Sequence, residues 1–485
     1  MTTDSLPEFD INSDDAASRM LSEWYNAIFV DMRPMGSGKT LFTALLWAYL
    51  QMNNKAFGYV APRVSIITDI ANRLDIEHYN EVSPGELFQS LAACVNSAVG
   101  REHLLSFFRQ VDCIVLDEFK QIVEHIVRGP FNNRSEGYDL LIDIIKTVPV
   151  VYVADADMND QMIKILESAG KPMFKIKGSE REPTATIKHT TPKIAKSEFL
   201  NRVKAGKTGL FQCDSLSTAN IAYEDAKATA PADYKILLVH GKNKHEFEQA
   251  AYLKSPNEVG KQYDLIILTP VVSSGFSIEL EYDFHVCVFS GQLSPTEIIQ
   301  TLGRNRKAKD IILGLSPKRK QKPLSVTEQI AGIVLAEKRI KITDGQLIHE
   351  PNEFDKVAAG IMEEYERSCE RFAHTTLLIL EQKGYKVEAL EEPESLIIIK
   401  GTAKTVKAKH VQDVIQADSI SDSEHSNLKK SSKVTESDHN AIEKFECREQ
   451  LALGEEVSEK DIPHSYEFIT GKKSTHPVFI EKGDR

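Results

Sequence analysis

Long apolar runs are missing from this chain of 485 residues. The one apolar helix candidate, Leu41–Leu50, is too short to cross a bilayer and follows a glycine-rich turn, so no membrane partner is expected. No secretory signal or basic transit peptide is expected either. The opening MTTDSLPEFDINSDD is acidic and polar, unlike a secretory signal or a transit peptide. Closely spaced cysteines are missing: the six (Cys94, Cys113, Cys213, Cys287, Cys369, Cys447) are scattered in apolar surroundings. That pattern suits reduced core thiols better than zinc ligands or disulfides, and a cytoplasmic location, or a host-cell interior for a viral protein, is expected. Excess positive charge is missing too. A net charge of −12 argues against a protein that coats nucleic acid by bulk charge, though not against one that grips a strand in a local groove.

What is present begins at Met35-Gly36-Ser37-Gly38-Lys39-Thr40. Ala27–Met32 before it reads as a short buried strand, and Leu41–Leu50 after it as a helix free of glycine and proline. Strand, glycine turn and helix start together make a phosphate cradle. Backbone N–H groups close on the phosphates, the helix N-terminus adds partial positive charge, and Lys39 reaches the terminal phosphates. Thr40 is the expected hydroxyl ligand of Mg²⁺, and ATP or GTP the expected ligand of the loop. The fuller motif has a further glycine where this chain has Arg33, followed by Pro34.

With 41% hydrophobic and 27% charged residues the composition is that of a globular chain, long enough for two or three domains. Up to about residue 330, β-rich runs alternate with helical patterns. Strands are expected at Ala27–Met32, Ala56–Ala61, Cys113–Leu116, Val148–Ala154, Gly209–Cys213, Lys235–Val239, Leu265–Thr269 and Phe284–Phe289. Such alternation predicts parallel sheets covered on both faces. The Lys-, Pro- and Thr-rich stretch 169–200 reads as a linker with an edge strand at Thr184–His189. The expectation is an α/β chain of two tandem RecA-like parallel-sheet domains, 1–175 and 176–330, followed by a mainly helical accessory region, 331–485. Within that region Phe354–Gln382 reads as helical, Tyr385–Glu388 with Leu396–Ile399 as a short hairpin, and Ser419–Lys433 as a polar loop. No repeat and no catalytic motif is found there.

Val115-Leu116-Asp117-Glu118 ends a buried strand with two acids, which suits Asp117 for a Mg²⁺ shell and Glu118 for orienting and deprotonating the attacking water. Asp155-Ala156-Asp157 follows the next strand; it reads equally as a sensor of the hydrolysis site or as a turn with a helix cap at Asp157 or Asn159. In the second half, Gln300-Thr301-Leu302-Gly303-Arg304-Asn305-Arg306-Lys307 would put Gln300, Arg304 and Lys307 on one helical face. A two-domain motor needs an arginine brought from one domain onto phosphates held by the other, and a guanidinium stays charged and matches phosphate with a planar fork. Two basic runs, 304–322 and 171–207, read more readily as a solvated face than as a nucleic-acid contact.

On these motifs the chain resembles the superfamily-two helicases, and within them the herpesvirus origin-binding helicase group with its plasmid and phage replication relatives. The matching segments run in order over roughly residues 25–310: Pro34–Thr40, Ala61-Pro62-Arg63-Val64-Ser65, Cys94-Val95-Asn96-Ser97, Asp117-Glu118, Asp155-Ala156-Asp157, Phe211–Ser215, Thr269–Ser277 and Gln300–Arg306. Asp117-Glu118 continues with Phe119-Lys120, unlike the DEAD-box RNA helicases. The last motif lacks its second glycine, which leaves the second arginine finger open between Arg306 and Lys307; Arg304 and Arg306 are taken as the pair. The resemblance implies ATP and Mg²⁺ between the two α/β domains. It implies catalytic roles for Lys39, Asp117, Glu118, Gln300, Arg304 and Arg306, and nucleotide contacts from Met35, Gly36, Ser37, Gly38, Lys39, Thr40 and Gly275. Thr40 and Asp117 would serve the metal. Arg63, Ser65, Asn96, Ser97, Ser215, His240, Thr269 and Ser274, at or near strand ends, are the implied contacts to a DNA strand, single or forked. Each of these reads as readily as a turn or capping residue. The implied function is an ATP-dependent DNA helicase or translocase in replication initiation of a virus, plasmid or mobile element, working with replication proteins. The alternatives are an ATP-switched origin-binding or loading factor and a defence-system translocase.

Overall fold

In a computed structural model, the structure describes residues 2–34, 36–129, 131, 133–178, 183–271, 276–317, 322–336, 341–343, 346–348, 351–393, 395–431, 433–454 and 456–462. The strands are β1 (Glu8–Asp10), β2 (Ala27–Asp31), β3 (Phe57–Ala61), β4 (Ser90–Cys94), β5 (Cys113–Asp117), β6 (Val150–Ala154), β7 (Met173–Lys177), β8 (Thr186–Thr190), β9 (Gly209–Cys213), β10 (Ile236–Val239), β11 (Leu265–Leu268), β12 (Phe284–Phe289), β13 (Asp310–Leu315), β14 (Lys341–Thr343), β15 (Gln346–Ile348) and β16 (Lys386–Ala389).

They form two seven-stranded sheets and a two-stranded ribbon, β14–β15. The first sheet runs β1-β7-β2-β6-β5-β3-β4 and the second β10-β11-β9-β12-β13-β8-β16. Every pairing in both large sheets is parallel. Helices such as Lys39–Met52, Phe119–Arg128, Pro192–Lys204 and Leu216–Thr229 cover them. Continuous apolar runs explain this: β2, β3, β6 and β9 are buried along their whole length, which only a doubly covered parallel sheet permits. The fold is the tandem RecA-like arrangement expected from the alternation. Because the strands are parallel, all their carboxyl ends emerge on one edge of each sheet, and ligands gather there.

Four local expectations need correction. The stretch 169–200 is not a linker. β7 lies between β1 and β2, and β8 lies inside the second sheet between β13 and β16 rather than at its edge. Its lysines mask an apolar set that buries: Met173, Phe174, Ile176, Ala185 and Ile187. The hairpin at 385–399 does not form either. β16 pairs parallel with β8, while Leu396–Ile399 has no strand and Ile397 N–H donates to Ser197 Oγ at 2.8 Å. Ser419–Lys433 contains a helix, Asp422–Lys430, because Ser421 and Glu424 make a reciprocal capping box. The helix Pro295–Leu302 stops before Arg304, so Gln300, Arg304 and Lys307 do not share a helical face; Arg304 and Arg306 instead exchange backbone hydrogen bonds with Ile278 at 2.8 and 2.9 Å.

The C-terminal region is mainly helical. Its helices Glu353–Glu370 and Phe372–Gln382 are separated by Arg371 at φ −112° and ψ 49°. The basic run 171–207 does not gather into one patch: Lys171 is buried against the Val148 carbonyl, Lys177 pairs with Glu8, and Lys188 with Asp310. Of the other run, Lys318, Arg319 and Lys320 lie outside the described residues. All six cysteines are buried, and none forms a disulfide among the described residues. Among the described residues no helix is long and apolar enough to cross a membrane.

Candidate nucleotide cleft

Strand β2 delivers Asp31 into the core, and the phosphate-loop sequence follows at once. Arg33, standing in place of a glycine, folds back on Asp31. Its Nε donates to Oδ1 at 2.9 Å and its Nη2 to Oδ2 at 2.6 Å, with the two side chains 4% and 0% exposed. Tyr152 OH donates to the same Oδ2 at 2.5 Å, and Arg33 Nη1 donates to the Ser37 carbonyl at 3.1 Å. Burial opposes the guanidinium charge, but Asp31 and Tyr152 more than restore it, so its pKa stands above the ordinary value. Arg33 therefore pins the loop to the sheet by a bidentate pair. Beyond it the loop is open. Gly36 and Gly38 hold φ +80° and +85°, and a Cβ built on either would meet nothing within 4 Å. Ser37 Oγ is buried without a hydrogen-bond partner, and Lys39 Nζ donates to the Arg33 carbonyl at 2.7 Å. Exposed glycine backbone, an orphan hydroxyl and an ammonium held only by a backbone carbonyl fit a polyphosphate. Met35 lies outside the described residues.

The two acids stand at the end of β5. Asp117 accepts a hydrogen bond from Tyr59 OH at 2.5 Å. Glu118 sits in the left-handed region at φ 56° and ψ 52°, costly for a residue with a side chain, and its N–H donates to the Ala154 carbonyl at 2.7 Å. Burial, then Asp155 and Asp117, push the Glu118 carboxyl up to about 8, against the pull of Lys39 and Arg304. Burial likewise raises Asp117, whereas Tyr59 and Lys39 lower it, and burial with Asp157 lifts Asp155 to about 6. A carboxyl titrating near neutrality is suited to accept a proton. Thr40 is exposed beside Lys39, and Thr40 with Asp117 offers the oxygen ligands that a small hard cation prefers.

The second sheet closes the site. A cleft of about 660 Å³ is lined by Gly36, Gly38, Lys39, Thr40, Asp117, Glu118 and Asp157 from the first domain. Gln300, Arg304 and Arg306 come from the second, and Gln382, Lys383 and Tyr385 from the C-terminal region. Arg304 is 9% exposed, with Nη1 3.5 Å from the Phe276 carbonyl. Burial pulls its guanidinium down to about 10 while Glu118 holds it up, so it stays charged at neutral pH. Arg306 is half-exposed, 3.7 Å from Glu279, and Lys307 does not line the cleft.

Hydrogen bonds cross the cleft. Gln121 Nε2 donates to Glu118 Oε2 and to Gln300 Oε1, each at 3.1 Å. Gln300 Nε2 donates to Asp157 Oδ2 at 2.8 Å, and Lys383 Nζ reaches Asp157 Oδ1 at 2.7 Å. Asp155 accepts the N–H groups of Lys120 and Asp157, both at 2.7 Å. The helix cap is Asn159, whose side chain accepts from Met162 N–H at 2.9 Å, which leaves Asp157 to the cleft. Gln121 and Lys383 were not found from the sequence. Gln121 sits one helical turn after Glu118, a spacing that could have drawn attention; Lys383 carries no motif signal at all.

The implied strand contacts stand at or just beyond the carboxyl ends of β3, β4, β9, β10 and β11. Arg63 and Ser65 are exposed, and the Arg63 charge, second to burial, lowers His125. Asn96 and Ser97 are half-buried, and Asn96 Oδ1 lacks a partner. Ser215 caps the helix Leu216–Thr229 by accepting from Thr218 N–H at 3.4 Å. His240 is 2% exposed and accepts from Asn243 N–H at 3.3 Å; burial, then Lys242, push it down to about 4. Thr269 is 7% exposed, its N–H bonded to the Val239 carbonyl. Ser274 and Gly275 lie outside the described residues.

No family model matches the chain. It is 22% identical, over 318 residues, to an uncharacterised protein of Picosynechococcus, covering 58% of this chain and 31% of that protein. The chain thus spans about a third of the length of this curated relative. Among solved structures it is similar to the DUF1998 helicase MrfA bound to DNA and AMPPNP, at a TM-score of 0.47 and 15% identity over 80% of this chain and 59% of the other. It is similar to T. fusca Cas3 with ATP, at 0.47 and 12% over 76% and 53%. It is also similar to S. cerevisiae Dbp5 bound to RNA and ADP BeF3, at 0.44 and 12% over 79% and 89%.

Proposed function

We propose that this chain is an ATP-driven nucleic-acid motor of the superfamily-two type, a DNA helicase or translocase that holds ATP between its two sheets. One observation carries the reading: a single cleft gathers the open glycine loop and Lys39, the Asp117-Glu118 pair, and Arg304 and Arg306 from the opposite sheet. On this reading residues 1–175 and 176–330 are the two halves of the motor, and 331–485 the accessory region. Lys39 would leave the Arg33 carbonyl for the terminal phosphates. Glu118, raised toward neutrality, would orient the attacking water and accept its proton. The buried Arg304 would meet charge developing on the transferred group where water cannot screen it. Magnesium held by Thr40 and Asp117 would shield the phosphate charge.

Cleft closure would shift the strand ends of the two sheets relative to each other, and the exposed Arg63 and Ser65 with the half-buried Asn96 and Ser97 are the polar groups there for a backbone grip. The replication setting, in a virus, plasmid or mobile element, rests on the order of the motifs together with the Gly303-Arg304-Asn305-Arg306 form of the last one. The test is steady-state ATPase of the full chain alone, with single-stranded DNA, with duplex DNA and with RNA, beside Glu118→Gln. Strong stimulation by single-stranded DNA, lost in the variant, is expected. A rate indifferent to every nucleic acid would replace the motor with an ATP switch.

A further inference from the structure

The C-terminal region touches both halves of the cleft. Helix Glu353–Glu370 puts Phe354, Ala358 and Ile361 into the core of the first sheet, and Arg128 lies 3.4 Å over the Tyr365 ring. Helix Phe372–Gln382 puts Phe372 and Leu380 into the core under the second sheet, against the helix that carries Gln300. Lys383 follows directly and points back into the cleft, where its ammonium binds Asp157 and, at 3.1 Å, the Ala156 carbonyl.

The Asp157 side chain is 7% exposed and shares its surroundings with Asp155 and Glu118, so its charge needs a counter-ion. Lys383 is the cation bonded to it. An ionised Asp157 only accepts, which fixes the Gln300 amide with Nε2 toward Asp157 and Oε1 toward Gln121. That in turn fixes Gln121 Nε2 between Gln300 and Glu118. Without the ammonium on Oδ1, the carboxylate that holds Gln300 Nε2 through Oδ2 is no longer fixed in its plane, the Gln300 amide loses its register, and Glu118 loses its oriented neighbour.

We propose that Lys383 is a positioning residue for hydrolysis, by which the docked C-terminal region sets the Asp157–Gln300–Gln121–Glu118 chain in register. This rests on reading the cleft as an ATPase site. Lys383→Met and Lys383→Arg, made in the full chain, test it through kcat and KM for ATP, together with Asp157→Asn and the Lys383→Met/Asp157→Asn pair. Lys383→Met is expected to lower kcat about tenfold with KM within about twofold, Lys383→Arg to restore most of it, and the pair to lose no more than either single change. Lys383→Met strands the buried Asp157 carboxylate and should lower Tm, whereas the Lys383→Met/Asp157→Asn pair, which removes both charges, should unfold near the wild type while its kcat stays low. A merely structural lysine would give a pair with both Tm and kcat restored. An unchanged kcat in Lys383→Met, or losses that multiply in the pair, overturns the proposal while leaving the motor reading intact. A wild-type chain without ATPase removes both.

Discussion

The two sheets have equivalent strand ends and use them differently. At the end of β5, Asp117 has one tyrosine partner and faces the cleft. At the end of β9, Asp214 accepts from the backbone N–H groups of Ser290, Gly291 and Gln292 at 2.8–3.0 Å and from the Ser290 hydroxyl. The first acid is left free to bind; the second is consumed in building the turn after β12. The same contrast holds for basic groups, with Lys39 on an open loop and His240 buried in a turn. Topology alone therefore does not make an open strand-end cleft. What distinguishes the halves is how many hydrogen bonds each strand-end side chain already makes, and the second half contributes arginines to a site it does not hold.

The largest test of that division is Arg304→Ala. Loss of an arginine delivered onto transferring phosphate costs about 10³–10⁵ in kcat. Arg306→Ala should cost less, because its side chain is 44% exposed and shared with Glu279. Lys307→Ala should leave ATPase unchanged. Equal losses at Arg306 and Lys307, measured by steady-state hydrolysis, would reverse the assignment.

Next in size is Arg33→Ala. It leaves Asp31, 0% exposed, with Tyr152 as its remaining side-chain donor, and stranding one member of a buried pair costs about 3–5 kcal/mol. Urea unfolding should show that loss. A stability change under 1 kcal/mol, far below the ~3 kcal/mol expected, would mean that the pair does not anchor the loop.

A smaller effect appears in pH dependence. The Glu118 carboxyl ordinarily titrates at 4.5 and here at about 8, so between those values the folded chain keeps a proton that the unfolded chain has lost. Its contribution to stability therefore falls as pH rises from 4.5 toward 8. Glu118→Gln removes that dependence. Its Tm should exceed the wild type's at pH 8 and converge with it near pH 4.5, by roughly 2–4 °C for each kcal/mol of relief.

These residues also mark what the sequence made legible. The strand–turn–helix around Lys39, the acids after β5 and the arginines after Gly303 were readable because chain-local spacing determines them. Hydrophobic period likewise located β9 and β12 to the residue. Lys383 was not readable, since a lysine after an apolar helix has no local signature and its role depends on a docking between regions distant in sequence. β7 was hidden by its lysines, whose long stems leave the alternate apolar positions free to bury, while β8 was expected as a strand but at an edge rather than inside the sheet. The Asp155–Asp157 ambiguity was physical as well, because acid, turn and cap share the same residues until Asn159 is seen to hold the cap.

The smallest prediction probes where the two halves are hardest to tell apart, at residues that suit a strand contact and a helix cap equally. Ser215 accepts from Thr218 N–H at 3.4 Å, a long capping bond, so Ser215→Ala should cost about 1 kcal/mol of stability, toward the low side of the usual range. If the hydroxyl only caps, affinity for single-stranded DNA, measured at fixed salt by fluorescence anisotropy, stays within error of the wild type. Ser65→Ala on the first half is the matched control: Ser65 is exposed and makes no capping bond to the helix Val64–Leu74. A loss of affinity there without loss of stability, beside the reverse at Ser215, would assign the grip to the first sheet. A loss of affinity at both would extend it across the cleft, since a hydroxyl can cap a helix and still offer its proton to a phosphate.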